Sequence, residues 1–480
     1  PSAVDADVSG TPGVADRALK PPDAGTWRLM WRIALPVLAE EFLTLLVGYT
    51  DWWLAGHFLR SAEYLAAMSL LAYLMWLLNS AFAGVAIGAT AMVARFTGAG
   101  DSRMAARVVL QSLLLGAMLA FVVMLVVSTG GRTFIALLQL RGRSADLVWQ
   151  YLRIVVPAIP FMMLQQVSAA CLRGAGDSVS GLLAKLVMNG VNAALSPLLL
   201  LGVGFFPELG WKGLAVGTAA GHFLGGTVLL AILLSGRGAV RLPRDGWGID
   251  RELQRRLWRV GVPGGIDAVS VVTCHLAYVA IINRLGTAAA AAHGLGLQIE
   301  ALSYLPGSAF HVAAATLAGQ FLGAGEPRRA RRGVLLACAT GCAVMSCAAV
   351  AFVLAGDLLT GFFTGDRHDP TARHAASLLR IVAVSTPSLA VLSILTGGLR
   401  GAGDTRWPLI VTFIGLLGIR LPGACLLAWG VVELPQLGLV VTGMNWGVDG
   451  AWWAMTTDVI VRSVLIASRF LHGGWQRVQV

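Results

Sequence analysis

Leu172-Arg173-Gly174-Ala175-Gly176-Asp177-Ser178 returns 227 positions later as Leu399-Arg400-Gly401-Ala402-Gly403-Asp404-Thr405. Leu152-Arg153-Ile154-Val155 recurs as Leu379-Arg380-Ile381-Val382, Pro160 as Pro387 and Pro36 as Pro263, all at that offset. Gly98-Ala99-Gly100-Asp101 is echoed by Gly323-Ala324-Gly325-Glu326, 225 positions on. Whatever this chain folds into must be built from two like units of roughly 225 residues each.

Each unit is apolar. Of the 480 residues, 56% are hydrophobic and 13% charged, against about 25% charged in a soluble domain. Apolar runs of about 20 residues follow one another, as membrane-crossing helices require. In lipid the backbone must satisfy itself, which leaves helices or a closed barrel, and continuous rather than alternating apolar runs select helices. The spacing predicts twelve spans, near 29–57, 63–94, 105–127, 147–170, 181–202, 211–234, 258–283, 293–320, 333–355, 375–397, 407–430 and 450–470. Six spans separate equivalent points, so the two halves run parallel, related by an axis along the membrane normal. The expected fold is an all-α integral membrane protein with two six-helix lobes, 28–234 and 258–472. Residues 235–257 form a cytoplasmic linker, and residues 1–27, rich in Pro, Gly, Ala and Asp, a disordered cytoplasmic tail. Residues 473–480 form a second cytoplasmic tail.

The net charge of +11 does not point to nucleic acid. Two thirds of the 36 Lys and Arg fall in the tails and in loops after even-numbered spans, which places that side and both termini in the cytoplasm. The expected location is the cell inner, or plasma, membrane. Cys171, Cys274, Cys338, Cys342, Cys347 and Cys425 lie in apolar segments without metal-ligand spacing and read as packed thiols. The Gly-Ala-Gly-Asp turns follow no strand, so they are not phosphate-cradling loops. A left-handed glycine ending one helix, with an Asp capping the next, explains them. Gly217, Gly221 and Gly225 in span 6 permit a close helix contact.

Ionisable groups at membrane depth are costly and mark candidate sites. Span 1 carries Glu40, Glu41 and Asp51, span 7 Asp267 and His275, and span 8 Glu300. His222, His275 and His311 read as packed side chains. Asp458 and Arg462, at i and i+4 in span 12, neutralise each other, whereas Arg420 has no sequence partner. Asp267 is the repeat partner of Glu40, so the two carboxylates stand at one depth and can face one cavity, with Glu300 and His275 beside them. Asp51 follows a clean apolar run, with no basic residue within helical reach. It must either hold a cation or take up a proton.

Pro36, Asp51, Gly56-His57, the two Leu-Arg-Gly-Ala-Gly-Asp turns, and Gln298-Ile299-Glu300 leading to Gly319-Gln320-Phe321-Leu322-Gly323-Ala324-Gly325 resemble the multidrug and toxic compound extrusion family, in particular its DNA-damage-inducible-F-like branch. The resemblance covers about residues 28–470. It implies two lobes around a central cavity and export of cationic amphipathic compounds in exchange for protons or sodium. It also implies an ion site at Asp51, Asn192 and Thr218. A further acid found in many members at position 196 is Ser196 here, which disfavours a two-carboxylate sodium site. The second-lobe acids of some members have no counterpart, since Val271 and Leu389 stand there.

The expected function is a secondary active antiporter, with a flippase for a lipid-linked sugar or peptidoglycan precursor as the alternative. Pyrophosphate cargo calls for basic residues in the cavity, and the deep charges read as mostly acidic. No nucleophile–base pair, metal cluster or cofactor loop suggests an enzyme. The expected partners are small cationic substrates and the bilayer, the coupling ion is H+ or Na+ with no other cofactor, and the protein is a monomer. A reporter following Val480 and one inserted near Arg244 should both be active only in the cytoplasm. Periplasmic activity from either would overturn the span count or its orientation.

Overall fold

The computed structural model describes residues 24–59, 61–137, 142–243, 247–366, 368–434 and 439–479. The first unit comprises α1 (Ala24–Leu54), which continues as a π-helical turn Ala55–Leu59, α2 (Ala62–Gly98) and α3 (Ser102–Leu137). It continues with α4 (Arg143–Val155) and α5 (Ile159–Gly174), which form one span around a 3₁₀ turn, then α6 (Val179–Leu201) and α7 (Trp211–Ser235). The second unit repeats the order: α8 (Arg251–Asn283), α9 (Thr287–Gly323), α10 (Pro327–Thr364) and α11 (Pro370–Gly401). Its fifth span is α12 (Arg406–Gly415) and α13 (Leu421–Ala428) around a π turn, and its sixth is α14 (Gly447–His472). Ten spans are long and apolar enough to cross a membrane by length and composition alone. α9 and α14 complete the twelve by their place in the repeat.

The segments outside the lobes differ from expectation. Residues 24–27 open α1, and 1–23 lie outside the described residues. The linker is shorter, because Asp250 caps α8 by accepting from the Glu252 and Leu253 amides, so residues 251–257 are helical. Residues 244–246 of that linker lie outside the described residues. The last segment folds back rather than trailing away. Trp475 is fully buried, stacks on Phe470 at 4.9 Å and donates to the Phe470 carbonyl. An antiparallel hairpin pairs β1 (Val431–Leu434) with β2 (Leu439–Thr442) between α13 and α14, where valine-rich stretches favour extended chain. Cys171, Cys274 and Cys338 are buried, Cys342 and Cys425 half-buried, and Cys347 is exposed. All six are free thiols.

The repeated turns end their helices as expected. Gly176 and Gly403 both have φ of 89°, and the amides of Asp177 and Asp404 reach back to the Leu172 and Leu399 carbonyls. Asp177 then caps α6 through the Ser180 amide at 3.1 Å, whereas Asp404 is instead held by Arg469 at 2.8 Å. The glycines before these turns let the fourth span of each unit lie on the second. A Cβ on Gly174 would come within 2.8 Å of the Thr90 carbonyl, and one on Gly401 would collide with Ala315.

The lobes exchange their first helices. The start of α1 packs into the second lobe's core, with Met30, Ile33 and Ala34 against Phe310, Ala313 and Leu317. Leu253 and Leu257 at the start of α8 pack into the first lobe's core. On the side bearing the repeated turns the lobes are latched to each other. Thr316 and Gln320 of α9 donate to the Arg173 and Gly174 carbonyls, each at 3.0 Å. Reciprocally, Arg95 of α2 donates to the carbonyls of Ala402 at 3.4 Å and Val478 at 2.7 Å. Gly98 and Gly323 touch the opposite helix so closely that a Cβ on either would collide with backbone. This conformation is closed on the turn side.

Candidate functional site

Helix packing assembles a pocket in the first lobe. Gly217 and Gly221 of α7 lie against Ser196 and Met188 of α6, where a Cβ on Gly221 would stand 2.8 Å from the Met188 carbonyl. That contact presses Asn192 and Ser196 against Thr218. α1 is held alongside by Asn189, which donates to the Leu43 carbonyl at 2.8 Å. Asp51, Asn192, Ser196 and Thr218 are all buried and come together. Thr218 donates to Asp51 Oδ2 at 3.2 Å, while Asn192 Nδ2 and the Tyr151 hydroxyl approach Thr218 Oγ1 at 3.1 and 2.9 Å. One donated proton and two accepted ones use every hydrogen-bonding capacity of the Thr218 hydroxyl. Three other oxygens, Asp51 Oδ1, Asn192 Oδ1 and Ser196 Oγ, are buried without a hydrogen-bond partner among the described residues. Buried unpaired acceptors cost roughly 1–3 kcal/mol each.

Tyr151 was not singled out by its sequence. It sits on α4 in an amphipathic run, and its hydroxyl reads as an interface group until the fold carries it to Thr218.

The expected cavity residues stand differently. Glu40 is held by Arg173 at 3.1 Å, and Asp267 is bound by Arg400. Both pairs span 133 residues, and both arginines belong to the repeated turns. The cavity of about 210 Å³ between the lobes is lined by Arg173 and Arg400, with Thr90, Gln166 and His311, and not by the carboxylates behind them. Glu40 and Asp267 are thus neutralised, which corrects their reading as free acids facing a substrate. Glu41 accepts from Ser308 across the lobes at 2.8 Å, with Lys185 and Arg173 within electrostatic reach. The deep charges are consequently balanced rather than acidic. An acid and a base that both repeat at one offset, Glu40 with Asp267 and Arg173 with Arg400, are the sequence signal that could have found these pairs.

Arg420 finds its partner in the second lobe. It donates to Asp458 at 2.8 Å, and Arg462 grips the same carboxylate at 2.7 and 2.6 Å. Glu300, His275 and Tyr278 lie within electrostatic reach of Arg420. The His275 ring lies 5.5 Å from Trp76 and 6.2 Å from Tyr73 of α2, so it faces the other lobe. His222 and His311 are packed and hydrogen-bonded, to Gln165 at 3.0 Å and to the Ser393 carbonyl at 2.7 Å. No His, Cys, Asp and Glu cluster with metal-binding geometry occurs among the described residues. Asp51 is the one carboxylate at membrane depth with no basic residue near it among the described residues.

The family model MatE matches residues 36–198 and again 263–426, one copy in each lobe. The chain is 28% identical to the "Probable multidrug resistance protein NorM" of Thermotoga maritima, covering 93% of this chain and 92% of that protein. It is 27% identical to the "Probable multidrug resistance protein YoeA" of Bacillus subtilis, covering 88% and 90%. Among solved structures it superposes with a TM-score of 0.82 on the "Outward-facing conformation of a multidrug resistance MATE family transporter of the MOP superfamily". That likeness, at 19% identity over 95% of this chain and 100% of the other, is one of fold.

The ion pairs generate a stability prediction. Glu40→Gln removes the hydrogen-bonded partner of the mostly buried Arg173 guanidinium, leaving Glu41 as the acid within reach, and should cost about 1–3 kcal/mol, whereas Glu40→Gln with Arg173→Met should recover most of it. Thermal unfolding of the purified variants reads this directly. A single variant as stable as the parent would show that the pair carries no weight.

Proposed function

The chain belongs to the MatE family, transporters rather than enzymes, and we propose that it is a secondary active exporter that couples the outward movement of cationic amphipathic compounds to ion entry at Asp51. The protein is a multi-pass membrane protein related to multidrug efflux transporters. The inner membrane, cytoplasmic termini and a monomeric state complete the proposal. The carrying observation is the isolation of Asp51 among otherwise balanced charges.

A proton is the coupling ion that the pocket favours. A proton on Asp51 Oδ1 turns an unpaired acceptor into a donor, and the neighbouring Asn192 Oδ1 and Ser196 Oγ both lack one. One proton then satisfies Asp51 Oδ1 and one of those two acceptors, and removes the uncompensated charge. Sodium is the second reading, supported by the same cluster of oxygens. Against it, Thr218 has no lone pair left to ligate with, and position 196 is a serine rather than a second carboxylate.

Coupling runs through α1. Its second half carries Asp51 against α6 and α7, its first half is packed in the other lobe, and Pro36 interrupts its hydrogen bonding between the two. Ion binding shifts the equilibrium only by favouring one conformation over the other, and α1 is placed to make that difference felt at the turn-side latch. The flippase reading gains from the two guanidiniums lining the cavity. Each is already paired with a carboxylate, so the cavity presents no net positive charge to a pyrophosphate.

Everted vesicles with pH and sodium gradients imposed separately test the reading, using ethidium as the cationic probe. Asp51→Asn should abolish uphill export, by more than about tenfold, while ethidium binding to the purified protein persists. Export by Asp51→Asn at the parental rate would refute the assignment. Export driven by sodium alone and insensitive to protonophores would refute the proton.

A further inference from the structure

The second lobe contains the repeat equivalent of the Asp51 pocket, and its contents differ in a particular way. At the offset of 227, Asp51 corresponds to Tyr278, Ala193 to Arg420, Ser196 to Gly423 and Met188 to Gly415. The hairpin before α14 lengthens the later offset. Gly213 of α7 is seated on the Leu199–Leu200 backbone, and Gly450 of α14 on Leu427, the equivalent of Leu200. This registers Gly217 with Ala454, Gly221 with Asp458 and Gly225 with Arg462.

The contacts support that register by exchange. In the first lobe Gly217 makes room for Ser196; in the second Gly423 makes room for Ala454, 3.1 Å from where its Cβ would stand. In the first lobe Gly221 makes room for Met188. In the second, Gly415 makes room for Asp458 and Arg462, both of which a Cβ there would strike. The backbone of α12 is therefore shaped to admit this ion cluster.

Where the first lobe presents a lone carboxylate, the second presents an aromatic ring and two guanidiniums on one carboxylate. Asp458 is fully buried, and the Arg420 guanidinium lies 5.9 Å from the centre of the Tyr278 ring. The charged and titratable groups within electrostatic reach of the cluster are Glu300 from α9 and Asp267, Cys274, His275 and Tyr278 from α8. Two guanidiniums on Asp458 leave one positive charge in excess, with Glu300 within electrostatic reach of Arg420. Arginine keeps its proton at any physiological pH.

We infer that Arg420 and Arg462 are tethered cations standing where the first lobe takes a mobile one, so that the second lobe is permanently ion-loaded and each transport cycle uses a single coupling ion. The inference rests on the reading of Asp51 as the coupling site and adds what the other lobe does. It predicts that the asymmetry of the two pockets, and not substrate chemistry, sets the stoichiometry at one.

The test counts exchangeable cations on the purified full-length protein. Potentiometric difference titration counts protons and equilibrium binding of ²²Na+ counts sodium. Asp51→Asn should remove one cation relative to the parent, and Asp458→Asn none. Because Asp458→Asn strands two buried guanidiniums and can unfold the protein, the triple variant Arg420→Leu, Asp458→Leu, Arg462→Leu serves beside it. It replaces the cluster with apolar side chains and should also lose none. Loss of a cation in either second-lobe variant overturns the inference while leaving Asp51 intact. Retention of the full count in Asp51→Asn instead overturns the coupling site. Arg420→Leu with Arg462→Leu, which frees Asp458, should raise the count to two; an unchanged count would show that the arginines hold no ion's place.

Discussion

Charge placed in an apolar interior must be neutralised where it stands, and that constraint orders this molecule. Three deep carboxylates are paired with bases: Glu40 with Arg173 and Asp267 with Arg400 from other helices, and Asp458 with Arg420 from another helix and Arg462 from its own. Such pairs add little net stability compared with apolar packing, but breaking one is costly, so they fix which helices are neighbours. The pairs from the repeated turns tie the first span of each lobe to its fourth. The same turns offer their carbonyls to the opposite lobe, to Thr316, Gln320 and Arg95. One short motif thus holds each lobe together and latches the two lobes on one side. Asp51 stands outside this pattern, and its isolation separates a working site from structural charge.

Duplication made the architecture legible and hid part of the chemistry. Pro36 with Pro263, and Arg173 with Arg400, mark the repeat from which two parallel lobes follow, and each expected span coincides with a helix that in several cases, such as Ser102–Leu137 and Pro327–Thr364, runs beyond it. The Asp51 pocket was legible by a different route, as a resemblance carried over onto Asn192, Ser196 and Thr218, which the fold brings together. Span boundaries near caps were less visible, because Asp250 starts α8 within a stretch whose arginines suggest a loop. The hairpin before α14 and the docking of Trp475 depend on contacts made only after the lobes assemble.

The charge pairs show why the remainder was not legible. Hydropathy marks Glu40 and Asp267 as anomalies in apolar helices, and the arginines that answer them lie 133 residues away at a turn. No local pattern connects the two. Arg420 is the same case, since its partner arrives from the next span across a hairpin. Tyr151 was missed because its function depends on where α4 is carried, not on its neighbours in sequence.

The closed turn side, the exchanged first helices and the single unbalanced carboxylate form one account of alternating access. The latch must release for the opposite side to close, and α1 joins the Asp51 pocket to it. Difference infrared spectroscopy across a pH or sodium jump reads this most directly, because it records which carboxyl changes state. The account predicts one buried carboxyl band that responds to the ion and disappears in Asp51→Asn. A responding band that survives Asp51→Asn and vanishes on substitution of Glu40, Asp267 or Asp458 would contradict it.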